Sequence, residues 1–315
     1  MRSRYRVASF LCVLCSIVMT APLGDARAAG AGKPADSRAI TSPPAELELD
    51  PIYTKYLSAD GFPIVATDNT DDRALYEAAY VIDSMLANRP DIRKKLVERG
   101  ARLVIWAHNE FTTELPEWSH MTPKDYWDRR VRGLGGLVCT VGEENLLGLK
   151  GDPYHEESIL VHEFAHNIHL QGLNHLDPEF DQRLRDLYAQ QLKKGLWEGT
   201  YASGAHTEYF AESVQSFFNT NRQPDHDHNH VDTRAELKEY DPEAYKLMVE
   251  VFGPTEWVYT KPATRPTGHL VGFDPEKAPQ FQWPEHLEKL GKEIRAKAVA
   301  EREKRLKEKG LLKQE

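Results

Sequence analysis

The 315-residue sequence predicts an α+β chain in which several helices surround a small sheet. Two observations carry that prediction. Apolar residues recur at helical spacing in four separate segments, and only two short runs, "ARLVIWA" (101–107) and "GLVCTV" (136–141), have the unbroken β-branched character of buried strands. No internal repeat interrupts this plan.

The chain begins with a basic stretch, "MRSRYR", an apolar core, "VASFLCVLCSIVMTA", and an A-x-A signal at 26–28. That is the pattern of an export leader spanning 1–28, shorter than a membrane span and broken by Pro22 and Gly24. Its cleavage leaves a secreted chain, extracellular or periplasmic, with no stable membrane anchor. Residues 29–46 are small, Pro-rich and aperiodic, and are read as a flexible linker. A globular domain is expected over 47–275. Within it, Leu75, Ala78, Ala79, Ile82, Met85 and Leu86 form one helical face behind Thr70 or Asp71 as cap. Glu143 and Glu144 are read as capping or solvating a turn. Further helices are expected at 159–169, with Gly172 as its C-cap, at 178–195, closed by Gly195, and at 207–219. The composition then turns highly charged, and 276–315 is expected to be a solvated helical tail.

Composition excludes some functions. The formal charge of −9 becomes −12 once the leader's four arginines and one aspartate are gone, which disfavours nucleic acid and anionic membranes as partners. Cys12 and Cys15 leave with the leader, so Cys139 is the only cysteine of the mature chain and no internal disulfide can form. The sequence sets no oligomeric state.

The chemistry concentrates in "ILVHEFAHNIH" (159–169). On a helix, His162 and His166 share one face and can present imidazole nitrogens to one metal ion. Glu163 sits one step round, placed to act as general base on a water activated by zinc. A metzincin pattern would need glycine and histidine where this chain has His169 and Gly172, so it fails. A gluzincin instead takes a carboxylate from a later helix. "TEYFAES" offers Glu208 and Glu212 four apart, one able to ligate and the other able to hold a ligand imidazole by its second N–H.

From about 133 to 218, "HEFAH" followed by "EYFAES" resembles the catalytic domain of the anthrax lethal factor group and the secreted Pro-Pro endopeptidases. The resemblance implies a zincin-like fold and Zn2+ held by His162, His166 and Glu208. It implies Glu163 as base, Glu212 as the supporting carboxylate, and Tyr201, seven residues before Glu208, as a hydroxyl assisting the oxyanion. It also implies that the glycine-rich "RGLGG" is an edge strand lining the cleft, along which a protein or peptide substrate would lie extended; the residues themselves fit a plain hairpin equally well. After His166 the chain has "NIHLQG" where the group carries an acidic residue.

The resulting expectation is a secreted zinc endopeptidase. Two other readings stay open: a zinc-containing binding or adhesion module without catalysis, and a zinc amidase acting on cell-wall peptides. "DHDHNH" (225–230) alternates carboxylate and imidazole but is read as a polar surface loop, with a substrate-facing rim as its functional alternative. His169 and His175 are read as structural. His206, two residues before Glu208, is the one histidine worth testing as a substitute ligand.

Overall fold

Both expected strands form, and three more join them. The computed structural model describes residues 38–308, which fall in one compact unit; the leader and the first part of the expected linker lie outside the described residues. Strands β1 (Tyr53–Ala59) and β2 (Phe62–Thr67) are a hairpin turned at Asp60-Gly61, both with positive φ, as a two-residue Asp-Gly turn requires. Helices α1 (Asp72–Met85) and α2 (Pro90–Glu98) follow, and Asp71 caps α1 by accepting the Arg73 N–H at 2.8 Å. Then come β3 (Arg102–Trp106), α3 (Lys124–Arg130), the two-residue β4 (Gly133–Leu134), β5 (Val138–Gly142) and α4 (Glu143–Leu147). The sheet order is β1-β2-β3-β5-β4, parallel at β2/β3 and β3/β5 and antiparallel at both margins.

Alternation sorts the sheet residues into two layers. Ile64, Ala66, Leu103, Ile105, Cys139 and Val141 face the main core of helices, whereas Val65, Val104 and Trp106 face a smaller cluster with Tyr53 and Leu115. Both faces are dry, which is why the strands read as unbroken apolar runs.

Helix α5 (Ile159–Asn167) lies on β5 and β4 and runs through a π-helical stretch, Ile168–Leu173, into a last turn, α6 (Asn174–Leu176). Gly172 therefore does not cap a helix, contrary to expectation. It sits inside the π stretch where α2 crosses, and a Cβ there would stand 3.0 Å from Ile92 Cγ2. Next come α7 (Phe180–Lys193), stopped at left-handed Gly195, and α8 (His206–Phe217), buried on every side from Tyr209 to Phe217. Helices α9 (Arg234–Tyr240) and α10 (Pro242–Phe252) close the far side of α8.

Two expectations are corrected here. The described part of the linker is tied down: Thr41 bridges to Tyr56 of β1, and Arg38 pairs with Asp83 of α1 at 2.9 Å. Glu143 and Glu144 are not solvated. Glu144 forms a fully buried pair with Arg132 at 2.5 and 2.8 Å, and Glu143 accepts the backbone N–H groups of Asp71 and His108. The charged run forms α11 (Glu285–Glu308), whose described side chains up to residue 300 are mostly exposed, while Phe281 and Leu287 ahead of and within its first turn are buried. Among the described residues, no helix is long and apolar enough to cross a membrane.

Candidate metal centre

Helix α5 starts under firm control. Ser158 accepts from Val161 N, and the Asn145 side chain accepts from Ile159 N at 2.8 Å while donating to Asp152 and to the carbonyls of Tyr154 and Glu157. From that start the four-residue spacing turns His162 and His166 toward α8, which packs against α5. Glu208 lies in the first turn of α8, where the helix dipole favours a carboxylate.

Three donor atoms converge there. His162 Nε2 is 3.2 Å from His166 Nε2 and 3.2 Å from Glu208 Oε2, and His166 Nε2 is 3.4 Å from the same oxygen. Three lone pairs so close repel one another unless a proton or a cation stands among them. Ligands about 2.05 Å from a tetrahedral zinc lie about 3.3 Å apart, which is the spacing found. Among the described residues, His162, His166 and Glu208 form one of two groups whose donor atoms could hold a metal ion.

The partners of His162 fix which nitrogen faces inward. Gln215 Nε2 donates to Glu157 Oε2 at 3.0 Å, which turns its Oε1 toward His162 Nδ1 at 2.8 Å. The Nδ1 N–H is thereby engaged, and Nε2 is left with its lone pair toward the other two donors. Sequence reasoning expected Glu212 in this role. Its Oε1 stands 3.5 Å from the same nitrogen, close enough for charge contact, but Gln215 makes the hydrogen bond. The signal was present: residues 208, 212 and 215 form a polar stripe at i, i+4 and i+7 on a helix that is otherwise packed.

Charge balance follows. Burial alone would lower His162, but the Glu208 hydrogen bond and the charges of Glu163 and Glu212 outweigh it and push it up to about 10. Burial works against the Glu208 anion too, yet hydrogen bonds from His162 and His166 hold its carboxyl well below the carboxylate range. Burial pushes Glu163 up, the direction a proton acceptor needs to work near neutrality.

Strand β4 crosses directly over this helix. A Cβ on Gly135, just beyond the strand, would stand 2.6 Å from His166 Cβ and 3.0 Å from Glu163 Oε2, and one on Gly133 would collide with Ile159. Only glycine lets the edge come so near. Asn167 of α5 donates to the Gly136 and Leu137 carbonyls and pins the loop that follows.

Tyr201 stands at the other wall, in the short 3₁₀ turn Tyr201–Ser203, and is 44% exposed. Its ring neighbours that of His162, 6.0 Å away, and that of His228, 6.4 Å away and inclined by 28°. Burial first, then the charges of Glu208, Glu163 and Glu212, raise the phenol, so it keeps its proton.

The "DHDHNH" segment is a loop, as expected, but not one that merely faces water. Arg222 joins Glu157 at 2.5 Å and Asp225 at 3.3 Å, Asp225 accepts from His228 Nδ1 at 2.9 Å, and His228 Nε2 is 3.6 Å from Glu212. A closed circuit of polar contacts thus leaves His162 through Gln215 and returns through Glu212. Burial lowers His228, but Glu212 and Asp225 override it and push it up to about 9, so it is charged near neutrality.

The remaining histidines take other places. His206 does not join the zinc-type trio; with His169 it points Nε2 at Asp181 Oδ1, at 3.1 and 3.0 Å. His175 is exposed rather than structural.

No family description matches the chain, and no curated protein matches it. Among solved structures, the Pro-Pro endopeptidase PPEP-2 from Paenibacillus alvei is similar, with 22% identity and a TM-score of 0.41 over 60% of this chain and 97% of that one. At that level the likeness assigns neither fold nor activity to this chain.

Proposed function

We propose that this protein is an exported zinc-dependent endopeptidase of gluzincin type and zincin-like fold, with His162, His166 and Glu208 as metal ligands. The observation that carries the reading is the triangle of 3.2, 3.2 and 3.4 Å formed by three donor atoms, with the half-buried Glu163 next to one of them in the chain. A bound zinc ion would supply Lewis acidity, acidifying a water and polarising a carbonyl. Glu163 takes the proton of the attacking water on a carboxylate oxygen and returns it to the leaving amine nitrogen. Tyr201 donates its hydroxyl proton in a hydrogen bond to the carbonyl oxygen as charge builds there, an interaction that strengthens in the transition state. A peptide lying extended along the outer side of β4 would pass between Glu163 and Tyr201. Nothing in the donor set is cysteine, as a closed structural zinc site usually requires, which favours catalysis over a metal-stapled adhesion module.

The test is hydrolysis of a proteome-derived peptide library by the mature chain. Glu163→Gln is expected to keep about one zinc per chain while turnover falls by about 10²-fold or more. Equal cleavage by wild type and variant would sink the peptidase reading. Cleavage confined to muropeptides would favour the amidase.

A further inference from the structure

The loop that follows α8 holds Tyr201 at two points. Its backbone accepts one: the Tyr201 N–H donates to the Asp227 carbonyl at 2.6 Å. Its side chain supplies the other, because the His228 ring stacks on the Tyr201 ring, 6.4 Å between centroids and inclined by 28°. The imidazole itself has little freedom. Asp225 Oδ1 accepts from the His228 ring at 2.9 Å, from the His228 backbone N–H at 2.9 Å and from the Asp227 N–H at 2.7 Å, while Glu212 faces the other ring nitrogen. The His228 side chain is only 9% exposed although His226 and Asp227 just before it are open to water. A tyrosine at the rim of a cleft, 44% exposed and carried on a three-residue turn, would otherwise sample several rotamers.

We propose that His228 is a positioning residue: locked by Asp225 and backed by Glu212, it holds the Tyr201 ring against the His162 side of the cleft, where the phenol meets the reacting carbonyl. The inference rests on the peptidase reading and adds to it the part that aims the hydroxyl. His228 is not one of the three proposed ligands; its side chain meets Asp225, Glu212 and the Tyr201 ring. The proposed effect runs through Tyr201 and should vanish when the phenol is absent; an effect passing through Glu212 to His162 would instead persist in the Tyr201→Phe background and lower zinc content.

That property sets the experiment. His228→Ala is compared with wild type in the zinc-loaded full chain, and the same change is made in a Tyr201→Phe background, with kcat, KM and zinc content measured for all four proteins. His228→Ala should lower kcat by about 10-fold with KM within about 2-fold, since the lost interaction belongs to the transition state. In the Tyr201→Phe background the further loss should shrink to less than about 2-fold, as coupled residues behave. Zinc content should stay unchanged in all four. Should His228→Ala fold poorly, Asp225→Asn, which unlocks the ring but keeps its volume, should give the same pattern at smaller size, and His228→Gln should recover part of the loss. Equal losses in both tyrosine backgrounds, or no loss in the wild-type background, overturn the role of His228. A wild-type chain that cleaves no peptide overturns the peptidase reading instead, and this role with it.

Discussion

Two clusters of two histidines and one carboxylate lie close together in this protein, and they are not alike. In the first, His162, His166 and Glu208 stand mutually 3.2 to 3.4 Å apart, and Gln215 holds the outer nitrogen of His162. In the second, His169 and His206 both aim at one oxygen of Asp181 at 3.0 and 3.1 Å, and Arg185 occupies the other oxygen at 2.7 Å. Those are hydrogen-bond lengths. The outer nitrogen of His169, Nδ1, is buried with no partner. Were Nε2 of His169 to bind a metal, its proton would have to move to that nitrogen, where no acceptor receives it. As a donor to Asp181, the ring leaves only a lone pair unused there. The lesson is that residue types do not make a metal site; the partner on the far side of each imidazole does.

The largest effect that could break this contrast is loss of metal. His162→Ala or His166→Ala should leave purified protein with almost none of the roughly one zinc per chain of wild type, whereas His169→Ala and His206→Ala should retain it. Elemental analysis decides; two zinc ions per wild-type chain would erase the distinction. Next in size, Gln215→Ala should weaken zinc affinity by about 10–100-fold, as loss of a partner to a ligand imidazole does, and Glu212→Ala by less. Competition with a chelator ranks the two, and the opposite order would return the role to Glu212.

Smaller effects belong to the second cluster. Asp181→Asn should cost about 1–3 kcal/mol of stability in urea denaturation without altering turnover by more than about 2-fold. The same cluster predicts a pH dependence. Burial outweighs Asp181 and lowers His169 from 6.5 to about 4. Between those values the unfolded chain binds the extra proton and the folded chain does not, so the contribution is complete above pH 6.5 and disappears as the pH falls toward 4. It should amount to at most about 3 kcal/mol. Denaturation at pH 7 and pH 4.5 measures it, and His169→Gln should shrink the difference; an unchanged difference would mean that other groups set the acid limit.

The sequence made some of this legible and hid the rest for physical reasons. His162, Glu163 and His166 are neighbours on one helix, so local periodicity alone brings them together. The strands at 101–107 and 136–141 were visible because both of their faces are buried. The hairpin of β1 and β2 was missed although Asp60-Gly61 is a strong turn signal, since Pro63 near the start of β2 argues against a strand interior. His206 was misjudged by counting along the chain: two residues on a helix turn a side chain to the opposite side, so closeness to Glu208 in sequence carries His206 away from it in space. Gln215 bears no charge, and no local pattern ties it to His162, 53 residues earlier in the chain. The burial of Glu144 depends on Arg132, which no local pattern couples to it.

That last pair has a consequence in time. The Arg132 guanidinium, paired with Glu144, lies over the Phe281 ring at 4.9 Å, and the Phe281 N–H donates to the Lys150 carbonyl at 2.9 Å. Phe281 is translated about 150 residues after Arg132. Before that interval ends the ribosome has delivered the strand edge, the histidine helix and Glu208, yet the ion pair behind that edge still lacks one of its walls. A nascent chain arrested before Phe281 would hold every proposed ligand, with Trp106 and Phe111 already beside Arg132 but the Phe281 ring missing, so the stretch made near the end of synthesis finishes the wall behind the cleft.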